Sequence, residues 1–201
     1  MGSRLVTIAT LGMVAARSAF ALADDLVENK PEDRAAATGF LAEGGLGAVA
    51  FLPKLNKDAA VGPELELRVG RDLFSWFSLD LFAAASTHEA TLPPPPTGQY
   101  FQLYRAGADG RLAARFNTIG IFAEGGVGAA MVSSNVLEPA NITSPGQRFS
   151  IQFHAGVGAE YQLENRHYGI GIAVDGFLIP QFGEMKAIAS RIYLRYTYGG
   201  G

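Results

Sequence analysis

Glu64 and Glu66 are the residues whose type and spacing come nearest to a catalytic pair. They are two positions apart, so in a strand both carboxylates lie on one face, about 7 Å from each other. Paired carboxylates can act as a general acid and a general base. Arg68 follows on the same face, however, and we favour a buried ionic network over an acid/base site.

The three histidines offer a second kind of chemistry, because imidazole is a common zinc ligand. His154 and His167 flank one predicted turn on the polar faces of neighbouring strands, and Glu160 is the candidate third ligand. His88 and Glu89 form the pair that an enzyme acting on lipids or peptides at an outer rim would use. No arrangement of Ser, His and Asp typical of a catalytic triad stands out. We expect the protein not to be an enzyme, and we expect no bound metal or cofactor.

Composition and motifs exclude several other classes of protein. Gly44-Gly45-Leu46-Gly47 resembles a phosphate-binding loop, but neither a Lys-Ser nor a Lys-Thr pair follows it and no helical pattern begins there. The chain has no cysteine, which excludes disulfides, thiol chemistry and cysteine-based metal sites. The net charge is −3 and no stripe of Lys and Arg is present, so nucleic acid is not an expected partner.

Residues 1–23 have the pattern of a secretory signal peptide. Arg4 gives a positive start, an uncharged apolar segment follows, and Ala21 and Ala23 form an A-x-A cleavage site. The apolar segment is about a dozen residues long, whereas a membrane-spanning helix needs about 20. The polar, acidic residues 24–37 are predicted to form a flexible tether, and residues 38–201 to form one folded domain.

Apolar and polar residues alternate with a period of two along this domain, which is typical of strands with two different faces. Residues 63–69 are the clearest example, because Glu64, Glu66 and Arg68 share one face and apolar side chains share the other. The pattern predicts eight strands of roughly 10–14 residues, close to the length that a tilted membrane strand needs. Long and short connections alternate along the chain, and short turns are predicted at residues 70–73, 115–118 and 163–166.

The composition of the polar face distinguishes a membrane barrel from a soluble one. Glycine dominates this face, which suits the narrow interior of an eight-stranded barrel, and its arginines can form forked hydrogen bonds with carboxylates. The residues predicted to form an interior ionic network are Glu43, Glu64, Glu66, Arg68, Asp80, Arg105, Asp109, Arg111, Glu124, Glu160, Asp175, Arg191 and Arg195. The aromatic residues predicted to form interfacial girdles are Phe40, Phe77, Tyr100, Tyr161, Tyr168, Tyr196 and Tyr198.

These patterns predict an all-β protein, an eight-stranded antiparallel up-and-down transmembrane β-barrel in the bacterial outer membrane. The chain resembles the small barrels of the OmpA, OmpX and OmpW type over residues 39–198. That resemblance implies outer-membrane lipid and the barrel-assembly machinery as partners. It also implies that the closing strand carries the assembly signal, which comprises Tyr193, Leu194, Tyr196 and Tyr198.

A looser resemblance is to the outer-membrane barrels of myxobacterial adventurous gliding motility. It rests on chain size, on the loop at residues 53–62, on Ala- and Gly-rich strands and on an end rich in Arg and Tyr. We expect a non-enzymatic structural or interaction component of the cell envelope, with other envelope proteins as partners in a motility or adhesion complex if this resemblance holds. The alternative is a narrow channel for small solutes, which the OmpW resemblance implies.

The sequence also contains an internal repeat. Residues 41–48 (LAEGGLGA) match residues 122–129 (FAEGGVGA), with Glu43 and Glu124 at the same place in the two copies. Duplication of a four-stranded half and convergence on one strand composition explain the repeat equally well.

Overall fold

In the computed structural model, the described residues are 38–52, 59–89, 100–133, 148–165, 167–182 and 185–199. The predicted signal peptide with Ala21 and Ala23, the predicted tether and most of the long loops lie outside these ranges. The described chain forms eight strands: β1 (Phe40–Phe51), β2 (Gly62–Phe74), β3 (Phe77–Glu89), β4 (Tyr100–Phe116), β5 (Ile119–Val132), β6 (Phe149–Gln162), β7 (Tyr168–Ile179) and β8 (Met185–Tyr198).

The eight strands form one closed antiparallel barrel in which every strand pairs with its neighbours in the sequence. β8 pairs with β1 to close the barrel, from Phe40 opposite Tyr198 to Phe51 opposite Ala187. The short turns lie at one end, called the turn end, and the chain enters β1 and leaves β8 there. The other ends of the strands, between which the longer connections run in the sequence, form the opposite end of the barrel, called the loop end. This architecture confirms the predicted up-and-down eight-stranded barrel.

The side chains alternate across the barrel wall as the sequence pattern predicts. Leu65, Ile151 and Ile170 lie on the outer surface, where about half of each residue is exposed. Their neighbours along each strand point inward and are buried, among them Glu64 and Glu66 with at most 5% exposure. This arrangement is the reverse of that in a soluble barrel and is the one that lipid-facing strands require.

At the turn end, two strands are longer than predicted. Residues 70–73 were expected to form a turn, but β2 continues through Phe74, and the turn comprises Ser75 and Trp76. β4 likewise extends to Phe116, and the following turn contains Asn117 with a positive φ of 58°. The extension of β2 matters because it places Asp72 on the inner face of the barrel, where it is buried.

Interior glycines make room for large side chains. A Cβ at Gly171 would overlap the ring of Tyr193, and one at Gly158 would overlap the ring of Phe122. A Cβ at the outward Gly44 or Gly176 would instead make only an ordinary van der Waals contact. Inside the barrel, a glycine on one strand therefore lies beside a bulky side chain of another strand, because the interior is narrow.

Aromatic side chains surround the outer surface at the turn end. Phe40, Phe116, Tyr161 and Tyr198 are exposed there, and Phe74 stacks on Trp76 with ring centroids 5.4 Å apart. Phe77, which was assigned to a girdle, is only partly exposed. Among the described residues, no helix has the length and apolar character needed to cross a membrane.

Candidate functional site: a two-layered barrel interior

Arg111 on β4 lies at the centre of an ionic cluster inside the barrel. Its guanidinium donates to both carboxylate oxygens of Glu43 at 2.6 and 3.0 Å, and to Glu124 at 3.2 Å. The same guanidinium lies over the ring of Phe122, 4.3 Å from the centroid. β1 and β5 are not neighbours in the sheet, so Arg111 connects two distant walls of the barrel.

Two further arginines share the carboxylate of Glu124. Arg68 pairs with Glu124 at 3.1 Å and with Asp109 and Glu66 at 2.5 Å each. Arg191 pairs with Glu124 at 2.5 Å and also with Asp175. Glu124 therefore accepts from three arginines that come from three different strands, and such sharing is the condition under which buried charges are tolerated.

The cluster extends in both directions along the barrel axis. Towards the turn end, Arg195 pairs with Asp72 at 2.5 Å and with Glu43 at 3.3 Å. Towards the loop end, Arg105 pairs with Glu64 at 2.5 Å. We call all these paired side chains the arginine–carboxylate layer; it extends from the turn-end half of the barrel to the Arg105–Glu64 pair, which lies beside the apolar side chains of the loop end.

The layer includes most of the residues assigned to an interior network from the sequence. Glu160 is at its edge, 3.9 Å from Arg111 and 3.2 Å from the hydroxyl of Tyr193, which donates to it. Asp80 is the exception: it is buried and points inward, but neither carboxylate oxygen has a hydrogen-bond partner among the described residues. It lies opposite Asp109, so two carboxylates are neighbours there.

Sequence reasoning missed two members of the layer. Asp72 had been placed in a turn, and its partner Arg195 is on a strand that does not neighbour β2. His154 was considered only as a metal ligand, yet its Nε2 lies 3.3 Å from Asp109 and its ring packs against Phe82. The alternation of β2 could have identified Asp72, since it continues the inward series of Glu66 and Arg68.

The internal repeat occupies equivalent places in the two halves of the barrel. Glu43 on β1 lies opposite Arg195 on β8, and Glu124 on β5 lies opposite Arg111 on β4. Each repeated glutamate thus faces an arginine across the strand pair that joins one half to the other. Arg111 also contacts both glutamates, so the two copies meet at one guanidinium.

Apolar side chains fill the interior near the loop end, which the sequence analysis did not anticipate. We call this group the loop-end core; it consists of Val49, Phe51, Ala59, Phe101, Leu103, Ala130, Val132, Phe177, Ile179, Phe182, Met185, Ala187 and Ala189. Leu103, Val49 and Ile179 are fully buried. The guanidinium of Arg105 lies 4.2 Å from the ring centroid of Phe177, where the loop-end core meets the arginine–carboxylate layer.

His88 belongs to this apolar region rather than to an exposed rim. β3 extends through Glu89, and the His88 ring is inside the barrel with 1% exposure, against Phe51 and Phe101. Its two nitrogens lie 3.0 Å from the carbonyl oxygen of Ala60 and 2.8 Å from the hydroxyl of Ser86. Both nitrogens are occupied, so the surface role considered for His88 and Glu89 is wrong for His88.

The residues considered as metal ligands do not converge. The His167 Nδ1 lies 2.8 Å from the carbonyl oxygen of Thr197 at the turn end, whereas His154 lies in the arginine–carboxylate layer. Among the described residues, no group of three or more His, Asp and Glu side chains has a geometry that could hold a metal ion. On β8, Leu194, Tyr196 and Tyr198 of the predicted assembly signal face outward, and Tyr193 faces inward.

Comparison with known proteins gives a likeness in fold alone. No known sequence family and no curated protein sequence matches the chain. Among solved structures, Neisserial surface protein A superposes with a TM-score of 0.59 at 12% identity, over 80% of this chain and 97% of that protein.

Two further structures show weaker superpositions. The N-terminal β-barrel domain of Pseudomonas aeruginosa OprF gives a TM-score of 0.47 at 12% identity, over 80% of this chain and all of that domain. The Yersinia pestis outer membrane protein Ail in a phospholipid nanodisc gives 0.47 at 13% identity, over 80% of this chain and 99% of Ail. The superposition on Neisserial surface protein A shows that the chain has the fold of the small eight-stranded outer-membrane barrels, as the resemblance to the OmpA and OmpX type implied.

Proposed function

We propose that the protein is a non-enzymatic component of the bacterial outer membrane that anchors and displays its loops to other envelope proteins. The observation that carries this proposal is the filled interior beneath an apolar exterior. Side chains from the arginine–carboxylate layer and the loop-end core occupy the space that a pore or a ligand cavity would need. The barrel is therefore suited to holding a rigid position in lipid.

The apolar exterior supports the membrane location. Its outward residues are mostly leucine, isoleucine, valine and aromatic, and the outward charges are near the ends of the strands. Arg71 is outward near the turn end, and Glu89 and Lys186 are outward at the loop end. A charge at mid-bilayer would cost about 2–4 kcal/mol, whereas at the interface it costs about 0–1 kcal/mol.

The structural role is favoured over conduction of small solutes. A conducting barrel needs a continuous polar path, but Val49, Leu103 and Ile179 are fully buried in the loop-end core. Nearer the turn end, each of Arg68, Arg111 and Arg191 pairs with the carboxylate of Glu124 and also with a second carboxylate. We expect planar-bilayer recordings of the purified barrel to show no discrete conductance.

Membrane fractionation combined with heat-modifiable gel migration tests the location and the barrel together. We expect the protein in the outer-membrane fraction, with a folded band that shifts only after boiling. Recovery as a water-soluble monomer without detergent would contradict the proposal.

A crosslinking experiment on intact envelopes tests the partner role. We expect pull-down of the crosslinked barrel to recover at least one envelope protein, and components of a motility or adhesion complex are the proposed class. A matched pull-down of the variant lacking residues 90–99, in the loop between β3 and β4, is the control. Recovery of no partner by either chain would refute the interaction role while leaving the barrel itself intact.

A further inference from the structure

A groove interrupts the outer surface of the barrel across β2 to β5. Ala83, Ala106 and Ala129 lie in one row across three adjacent strands and form its floor. Leu67 continues the row on β2 and closes one side. Because alanine projects so little from the sheet, the surface here is lower than at Leu81 and Val127 in the next row towards the turn end.

The loop-end wall of the groove is bulky. Tyr104 on β4, Met131 on β5 and Phe149 on β6 lie in the next row towards the loop end, and all three line the groove. The groove has a volume of about 420 Å³. This volume lies within the roughly 300–1,000 Å³ range of small-ligand pockets, and its lining is almost entirely apolar.

A cation follows this wall in the chain, at the loop-end rim of the barrel. Arg148 immediately precedes Phe149, and its Nε donates to the carbonyl oxygen of Val132 at 3.4 Å, one residue from Met131. The guanidinium is therefore held at the loop-end rim, which the proposed membrane location puts at the level of the lipid headgroups. A groove for a hydrocarbon chain and a cation at headgroup depth are the two features that an anionic lipid would need.

We propose that this groove is a binding site for one acyl chain of an anionic lipid in the leaflet at the loop end, with the headgroup paired to Arg148. The inference rests on the proposed membrane location. A lipid is favoured over a second copy of the chain because the site combines a concave apolar surface with a cation at the depth where headgroups are found.

Tryptophan fluorescence can test the site in vesicles. Trp76 is the only tryptophan, so the double variant Trp76→Phe, Tyr104→Trp places the single fluorophore in the groove wall. The folded variant is placed in two kinds of vesicle, in which either the phosphatidylglycerol or the phosphatidylcholine carries brominated acyl chains. Brominated chains quench the fluorescence of a tryptophan that they contact. One surface arginine predicts about a fivefold preference for phosphatidylglycerol.

Three further substitutions in this background separate the parts of the site. Arg148→Gln should abolish the preference for phosphatidylglycerol. Ala106→Phe should fill the groove, which should remove the quenching by the bound chain and with it the lipid preference. Ala155→Phe, the matched control, makes the same change at an outward alanine of β6 and should alter neither.

The possible results have distinct meanings. Equal quenching by both lipids, or a preference unchanged by Ala106→Phe, would overturn the lipid site while leaving the membrane barrel supported. A detergent-stable dimer that Ala106→Phe dissociates would overturn it in favour of a second copy. No quenching by either lipid, with no heat-modifiable band, would instead refute the proposed membrane location.

Discussion

Replacement of Arg111 by methionine is the sharpest test of the arginine–carboxylate layer. Methionine keeps much of the side-chain volume but removes the charge that joins Glu43 to Glu124. Removing one partner of a buried ion pair costs about 3–5 kcal/mol, because an uncompensated charge remains. Glu43 is the carboxylate whose charge is left least compensated, because its remaining partner, Arg195, lies 3.3 Å away.

The size of the loss follows from how much of the layer remains. Glu124 keeps Arg68 and Arg191, so its carboxylate stays neutralised after the change. We therefore expect a cost at the lower end of the range, about 3 kcal/mol in the free energy of unfolding. Arg71→Met is the control, since Arg71 is exposed and lies over the ring of Phe40, and it should cost under about 1 kcal/mol.

The free energy of unfolding of both variants is measured by titrating the barrel in lipid vesicles with urea. The folded fraction at each urea concentration is read from heat-modifiable gel migration. A double-mutant cycle with Glu43→Gln isolates the pair, and the coupling free energy should lie within about 0.5–3 kcal/mol. The network described here would be refuted if Arg111→Met cost no more free energy of unfolding than Arg71→Met. It would also be refuted if the costs of Arg111→Met and Glu43→Gln were additive.

Three other outcomes follow from the same structure. Gly128→Ala should destabilise the barrel by about 1–3 kcal/mol, because its Cβ would overlap the carbonyl oxygen of Ala106, whereas Gly44→Ala on the outer surface should be tolerated; urea unfolding compares the two. Leu67→Arg should cost about 2–4 kcal/mol at mid-bilayer and Leu73→Arg at the turn end about 0–1 kcal/mol, and equal costs would contradict the membrane placement. Mass spectrometry of the exported protein should show an N-terminus at Asp24, and an intact residue 1–23 segment would refute the predicted cleavage after Ala23.

The strands and their faces were predictable from the sequence because a period of two fixes which side chains share a face. Leu65 faces outward and Glu66 inward as that pattern requires. The strand ends were less predictable, since Arg71 to Phe74 contain a charge pair that is also compatible with a turn. That error removed Asp72 from the predicted interior.

The partners within the interior were not predictable from strand order. Arginine is long enough to reach across the lumen, so Arg195 pairs with Asp72 on a strand that does not neighbour its own. The loop-end core escaped prediction for a different reason. Phe51, Leu103 and Ile179 were assigned to neither face from the sequence, and they point inward. A period of two does not by itself distinguish an apolar interior from a lipid-facing surface.

The repeated glutamates have a consequence for how the barrel closes. The β8–β1 pairing joins residues distant in the sequence, while β4 and β5 are consecutive, yet both joints hold a Glu opposite an Arg on the inner face. The pairing of β8 with β1, which closes the barrel, therefore holds the same Glu–Arg contact as a pairing between strands that are consecutive in the sequence. A circularly permuted chain, opened at the turn after β4 and linked from β8 to β1, would still have this contact at its new closing joint.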